Sequence, residues 1–206
     1  MKTFRTILFW LHLTSGLLAG IVIFIMCVTG ALLSFEKNII EYFESDQRYV
    51  SVPADTQKLS PRELLTKVLE AKPNARPSSL AVTSRPDAAA TIALGREGQV
   101  FVNPYTGVIT GEGHKGVRDF FRFNTDLHRY IAISGDGRPW GKAITGFCNL
   151  LFLFLAISGI YIWMPRQLNW RLIKPVFWFR RGLRGKARNF NWHNVIGFWS
   201  SLVLIV

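Results

Sequence analysis

The acidic residues of this chain are confined to one window. All 13 Asp and Glu fall between Glu36 and Asp136. Outside that window lie three long apolar stretches, and two of them carry a histidine, His12 and His193. The first stretch, Ile7 to Phe35, runs for 29 residues without a Lys, Arg, Asp or Glu. A bilayer core about 30 Å thick needs roughly 20 helical residues, so this stretch is long enough to span. A signal peptide has an apolar region of only about 7–15 residues and a small-residue cleavage site, and no such site follows Gly30. The reading is therefore an uncleaved anchor. A second stretch near Ala143–Met164 suits one further crossing. A third begins near Trp192 and stops at Val206; its 13 residues from Asn194 onward give about 20 Å of helix, too short to span. The chain thus reads as the N-terminal part of a longer protein.

Orientation follows from the basic residues. Lys2 and Arg5 precede the first stretch. Arg166, Arg171, Lys174, Arg180, Arg181, Arg184, Lys186 and Arg188 lie between the second and third. In short loops such residues stay on the cytoplasmic side. The N-terminus and residues 165–191 are accordingly expected in the cytoplasm, and residues 36–142 outside, in the periplasm of a bacterium. The loop supplies much of the net charge of +12. Trp163, Trp170, Phe177, Trp178 and Phe179 interleave with its cations, which points to anionic lipid at a membrane interface and not to nucleic acid. Cys27 and Cys148 both fall in apolar stretches, so no disulfide framework supports the outward domain; both are expected to pack as small apolar groups.

The expected fold is an α-helical integral membrane protein with an inserted small α+β domain. It divides into a first transmembrane helix (1–35), an outward domain with an amphipathic helix (36–142), a second transmembrane helix (143–164), a basic cytoplasmic loop (165–191) and an incomplete third helix (192–206). Within the outward domain, Ser60-Pro61-Arg62-Glu63 is a capping box with Pro at the first helical position. Lys72-Pro73 ends that helix. Short β-prone runs follow at Ser79–Thr83, Thr91–Leu94, Gln99–Val102 and Val108–Thr110, with turns at Gly95–Gly98 and Asn103–Gly107. One helix on a small antiparallel sheet, over residues 58–112, accounts for the pattern. His114 lies in a glycine-rich loop and reads as a solvated loop residue.

From Val117 the pattern is that of an amphipathic helix: Phe120, Phe121, Asn124, Leu127, His128 and Ile131 share one face. His128 is either a core histidine with a hydrogen-bond partner or a functional one. His12 and His193 are sharper. Each lies near the cytoplasmic start of a helix, follows a tryptophan closely and has a glycine four residues on, Gly16 and Gly197. Residues four apart stack on one helix face, and glycine there leaves room for a flat macrocycle. Ionisable groups inside a membrane are functional by default, and neutral imidazole is a good axial ligand for haem iron. The spacing leaves open a six-coordinate b-type haem, a proton relay, metal transport, or hydrogen bonds across closely packed helices.

Several of these segments together resemble the PepSY-associated transmembrane family, bacterial inner-membrane proteins that include ferrisiderophore reductases. The matching residues are Trp10-Leu11-His12, Gly16-Leu17 and Thr29-Gly30; Val100-Phe101-Val102-Asn103-Pro104-Tyr105-Thr106-Gly107; Leu127-His128-Arg129; Ser158-Gly159-Ile160-Tyr161 with Trp163; and Asn191-Trp192-His193-Asn194 with Gly197. The resemblance implies b-type haem, two in the full-length protein, with His12, His128 and His193 as ligands of haem iron. It also implies electron transfer from a cytoplasmic or quinone donor to a periplasmic ferric siderophore. The alternative is a non-enzymatic, membrane-anchored PepSY-type binding or inhibitory module. His128 is too far from the cytoplasmic end to share a haem with His12 and His193. A six-coordinate second haem would therefore need a histidine beyond Val206, at the outer end of the third or a later helix.

Overall fold

A computed structural model describes all residues except Met1, Arg96, Glu97, Arg166, Leu168 and Val206. Arg166 of the basic loop, and Arg96 and Glu97 of the Gly95–Gly98 turn, thus lie outside the described residues. The chain is mostly helical and divides into two compact units: Met1–Thr29 with Asp126–Val206, and Gly30–Thr125.

The first unit is built on long apolar helices. Helix α1 covers Lys2–Ser34, continuing past Thr29 into the second unit. Helix α6 covers Arg138–Trp163, with Pro139 in its first turn where a missing N–H costs nothing. Among the described residues, these two regions (Thr3–Ser34 and Gly135–Trp163) are the helices long and apolar enough to cross a membrane. They are not the buried core of a soluble protein. Leu17, Ile21 and Phe24 are 80%, 73% and 69% exposed along α1, an apolar surface of the kind that faces lipid or another protein. Cys148 is buried on α6, whereas Cys27 is exposed on α1, so only the former packs inside the protein.

The basic loop is more ordered than its sequence suggests. Asn169 caps helix α7 (Trp170–Phe177), its Oδ1 accepting the N–H of Arg171 at 3.0 Å. Helix α8 runs Gly185–Ile205 and so starts seven residues before the expected 192. Its first turns carry Lys186 and Arg188, which hid the start from a reading based on apolar runs. Gly185 takes φ 53° at the turn into α8, a conformation that glycine reaches without steric cost. Asn191, buried on α8, ties the segment down: its Oδ1 accepts the N–H of Arg180 at 2.8 Å and its Nδ2 donates to the Pro175 carbonyl at 2.8 Å.

Helix α5 (Lys115–Tyr130) starts in the second unit and ends in the first. The compact boundary is therefore Thr125, where the sequence suggests 142. The reason is local packing. Gly141 of α6 sits so close that a Cβ would lie 2.3 Å from the Tyr130 carbonyl oxygen. Thr145 Oγ1 donates to the Arg129 carbonyl at 3.1 Å, and Arg138 pairs with Asp126 at 2.9 Å. Ile131 and Ala132, at φ 51° and 57°, turn the chain after α5; the helix stops one residue short of the expected Ile131.

The second unit holds helices α2 (Glu36–Phe43), α3 (Ser45–Arg48) and α4 (Pro61–Ala71), and strands β1 (Ser79–Ala81), β2 (Ala90–Ala93), β3 (Gln99–Val102) and β4 (Ile109–Gly111). The strands form an antiparallel meander in the order β1-β2-β3-β4. Alternation places Ile92, Val100 and Val102 in a core with Leu64 and Val68 of α4. The capping box forms as expected: the Glu63 N–H donates to Ser60 Oγ at 3.3 Å and the Ser60 N–H to Glu63 Oε2 at 2.8 Å. Asn103 Oδ1 accepts the N–H of Tyr105 at 2.9 Å and starts the turn that Gly107 closes at φ 77°.

Candidate functional site

Helices α1 and α6 are locked together near the start of α1. Arg5 donates to the carbonyls of Met164 at 2.6 Å and Tyr161 at 3.2 Å, and its guanidinium lies 5.6 Å over the Tyr161 ring. A cation here satisfies the unpaired carbonyls at the C-terminal end of α6 and its dipole. Two turns further along α1, His12 faces α6. Its Nδ1 is 2.8 Å from Ser158 Oγ, and Gly159 makes room for the ring: a Cβ there would lie 3.3 Å from His12 Cε1.

Helix α8 brings in the second histidine. The His12 and His193 rings are 6.4 Å apart between centroids and nearly perpendicular, at 84°. The Trp163 ring lies 6.3 Å from His193 and stacks edge-on against Phe190 at 4.4 Å. Both histidines line a cavity of about 570 Å³ between α1, α6, α7 and α8, within the roughly 300–1,000 Å³ usual for cofactor pockets. Its walls are overwhelmingly apolar. Gly16, Gly20 and Gly197 line it. A Cβ at Gly20 or Gly197 would meet no atom within 4 Å, and one at Gly16 would make ordinary contact with Leu155. The glycines thus widen the space beside each histidine and are not consumed by close helix packing. Asn194, buried next to His193 and also lining the cavity, leaves Oδ1 with no hydrogen-bond partner among the described residues.

His128 sits elsewhere. It is half-buried on α5, with Nδ1 2.9 Å from Thr29 Oγ1. Thr29 is 17 residues beyond His12 on α1, about 25 Å along the helix, so His128 belongs to the opposite end of the unit and does not line the cavity. His114, in the second unit, has a structural post. Its Nδ1 accepts the N–H of Val117 at 3.3 Å and its carbonyl accepts that of Arg118 at 3.1 Å, capping α5.

Among the described residues no cluster of three or more His, Cys, Asp or Glu could hold a bare metal ion. A haem iron asks less, one or two axial imidazoles. His12 and His193, with ring centroids 6.4 Å apart, are the residues that would hold such a group, and the glycine-widened space and the apolar walls suit a flat macrocycle. The residues that reasoning from sequence did not recognise as histidine partners are Ser158 and Thr29. Other hydroxyls share their helices, among them Thr14, Ser15 and Thr145, so the signal that could have marked them is their place in the Thr29-Gly30 and Ser158-Gly159 segments that carry the family resemblance.

A family model described as the PepSY-associated TM region matches residues 9–206. No curated protein matches the chain. With two apolar helices whose side chains are largely exposed, and with a family match over nearly all its residues, the chain is a membrane protein that belongs to the PepSY-associated TM region family.

Proposed function

We propose that this chain is the core of a haem-containing reductase of the bacterial inner membrane, which takes electrons from a cytoplasmic carrier or a quinone and delivers them to a ferric siderophore in the periplasm. The observation that carries this reading is the pairing of His12 and His193, 6.4 Å apart, on the wall of an apolar cavity of about 570 Å³. His12 and His193 would hold the haem, and Gly16 and Gly197 would leave room for it beside them. A bound b-type haem supplies one-electron chemistry that no side chain here can. The apolar walls would favour an apolar macrocycle over water in the site. His128 on α5, beside Thr29 at the far end of α1, would hold a second haem b. Two sites about 25 Å apart along α1 cover most of a bilayer's thickness. Ferrous iron binds hard-oxygen chelators less well than ferric iron, so reduction releases the metal outside.

Orientation is part of the proposal. Arg5 and the cations Arg171, Lys174, Arg180, Arg181, Arg184, Lys186 and Arg188 mark the cytoplasmic side, and the second unit lies in the periplasm. Two measurements test the reading. Purified protein should be red, with Soret and α bands of b-type haem, and the bands should change on adding a reductant. A colourless preparation would favour the alternative, a membrane-anchored binding or inhibitory module. Alkaline phosphatase fused after Asp87 should be active, and fused after Arg184 inactive. The reverse would overturn the orientation and the haem depths with it.

A further inference from the structure

Both histidines that hydrogen-bond within the membrane unit do so in the same way. His12 Nδ1 meets Ser158 Oγ at 2.8 Å, and His128 Nδ1 meets Thr29 Oγ1 at 2.9 Å. Each hydroxyl sits on a neighbouring helix, and each is bonded back to its own helix. Ser158 Oγ donates to the Phe154 carbonyl at 2.6 Å, and Thr29 Oγ1 to the Ile25 carbonyl at 2.7 Å. A hydroxyl has one proton and two acceptor lone pairs, and a carbonyl has no proton to return. The single proton is therefore committed to the carbonyl four residues back. Toward the imidazole the hydroxyl can only accept.

A neutral imidazole carries its proton on one nitrogen and a lone pair on the other. With Nδ1–H given to the hydroxyl, the lone pair falls on Nε2. The opposite assignment would have the hydroxyl abandon its backbone carbonyl and leave His12 with Nε2–H on the wall of an apolar cavity. Among the described residues the hydrogen bond of the His12 ring is made by Nδ1, and none is made by Nε2. An unpaired buried donor is disfavoured more strongly than a bare acceptor.

We propose that Ser158 and Thr29 are positioning residues that select the Nδ1–H tautomer of His12 and His128, and so hold the Nε2 lone pair ready for iron. The proposal rests on the haem reading of those two histidines. Gly159 assists at the first site, because a side chain there would press on Cε1, the ring atom between the two nitrogens.

The test uses the full chain in lipid nanodiscs, labelled with 15N-histidine, prepared without haem and then titrated with it. In the haem-free protein, nitrogen chemical shifts should show His12 and His128 with Nδ1 protonated and Nε2 bare. Ser158→Ala should convert His12 to a mixture of tautomers and leave His128 unchanged. Thr29→Val should do the reverse, and Thr29→Ser should restore the wild-type pattern. Haem affinity of the first site should fall about 10–100-fold in Ser158→Ala, the usual effect of losing a partner behind a ligating histidine. Gly159→Ala, which keeps the hydroxyl but crowds the ring, provides a second variant and should show a smaller fall. A protonated Nε2 on His12 in the wild type, or a Ser158→Ala protein with unchanged tautomer and affinity, would overturn the proposal. Expected tautomers in a wild-type protein that binds no haem would overturn the haem reading and with it the iron-positioning role, leaving the tautomer assignment itself intact.

Discussion

Two buried polar side chains, Glu44 in the second unit and Asn194 in the first, are treated in opposite ways. In the second unit Glu44 is 0% exposed, yet nothing about it is unsatisfied. Its carboxylate accepts from Arg118 Nη2 at 2.7 Å, from the backbone N–H of His114 at 2.8 Å and from Arg48 Nη2 at 2.9 Å. Burial pushes its pKa up, but the bonds from Arg118, the His114 N–H and Arg48 outweigh this and hold the carboxyl below its ordinary value of 4.5. In the membrane unit two polar groups beside the cavity are left open, although His12 and Ser201 there are bonded. Asn194 Oδ1 has no partner among the described residues, and His193 is exposed on the cavity wall. A buried polar group closed by its own neighbours is architecture. One left open beside an apolar cavity calls for a ligand.

The contrast can be broken most sharply at the histidines. His12→Ala and His193→Ala should each abolish the haem of the cavity, whereas His114→Ala, which loses a helix cap and a ring contact with Phe43, should remove none. Pyridine haemochrome ratios decide it. Full haem content in either of the first two variants would reduce His12 and His193 to hydrogen-bonding residues and erase the contrast.

Glu44 sharpens the other side. Glu44→Ala removes the acceptor of several charged hydrogen bonds while Arg48 and Arg118 stay partly hydrated, which should cost the second unit about 2 kcal/mol. The haem spectrum should not change. The pH dependence has a definite sign. A carboxyl whose pKa is depressed on folding contributes stability above its unfolded value, here near pH 4.5, and loses it as pH falls through the lower folded value. Thermal melts of the wild type should therefore fall below pH 4.5, and Glu44→Gln should flatten that decline. A Glu44→Ala protein that melts like the wild type would show that the network is not what holds this unit.

The smallest effect belongs to the capping box. Ser60→Ala should cost about 1 kcal/mol with no consequence for haem content. Differential scanning of the second unit's transition checks it, and a loss of haem would contradict it.

Much of this fold was legible in the sequence because the signals are local. The Ser60–Glu63 box, the strand Gln99–Val102 and the Asn103–Gly107 turn form where residue order alone places them. The two long apolar helices were equally plain. The start of α8 at Gly185 and helix α7 were not, because cations obscured the apolar period of segments held by Asn169 and Asn191. At the candidate site the sequence placed His12 and His193 at similar depths, within about two turns of the start of helices of the same direction, and set His128 far from both.

Depth along a helix follows from a rise of about 1.5 Å per residue, so sequence by itself determined which histidines share a level. It also determined that the spans are apolar and that each paired histidine has a glycine four residues on. Rotation of each helix about its axis is set by packing against its neighbours, and only the tertiary structure decided that. It brought the His12 and His193 rings to 6.4 Å and turned Ser158 and Thr29 toward imidazoles 146 and 99 residues away in the chain. The physical reason is that these contacts lie between helices, where no periodicity along one segment can specify which face meets which.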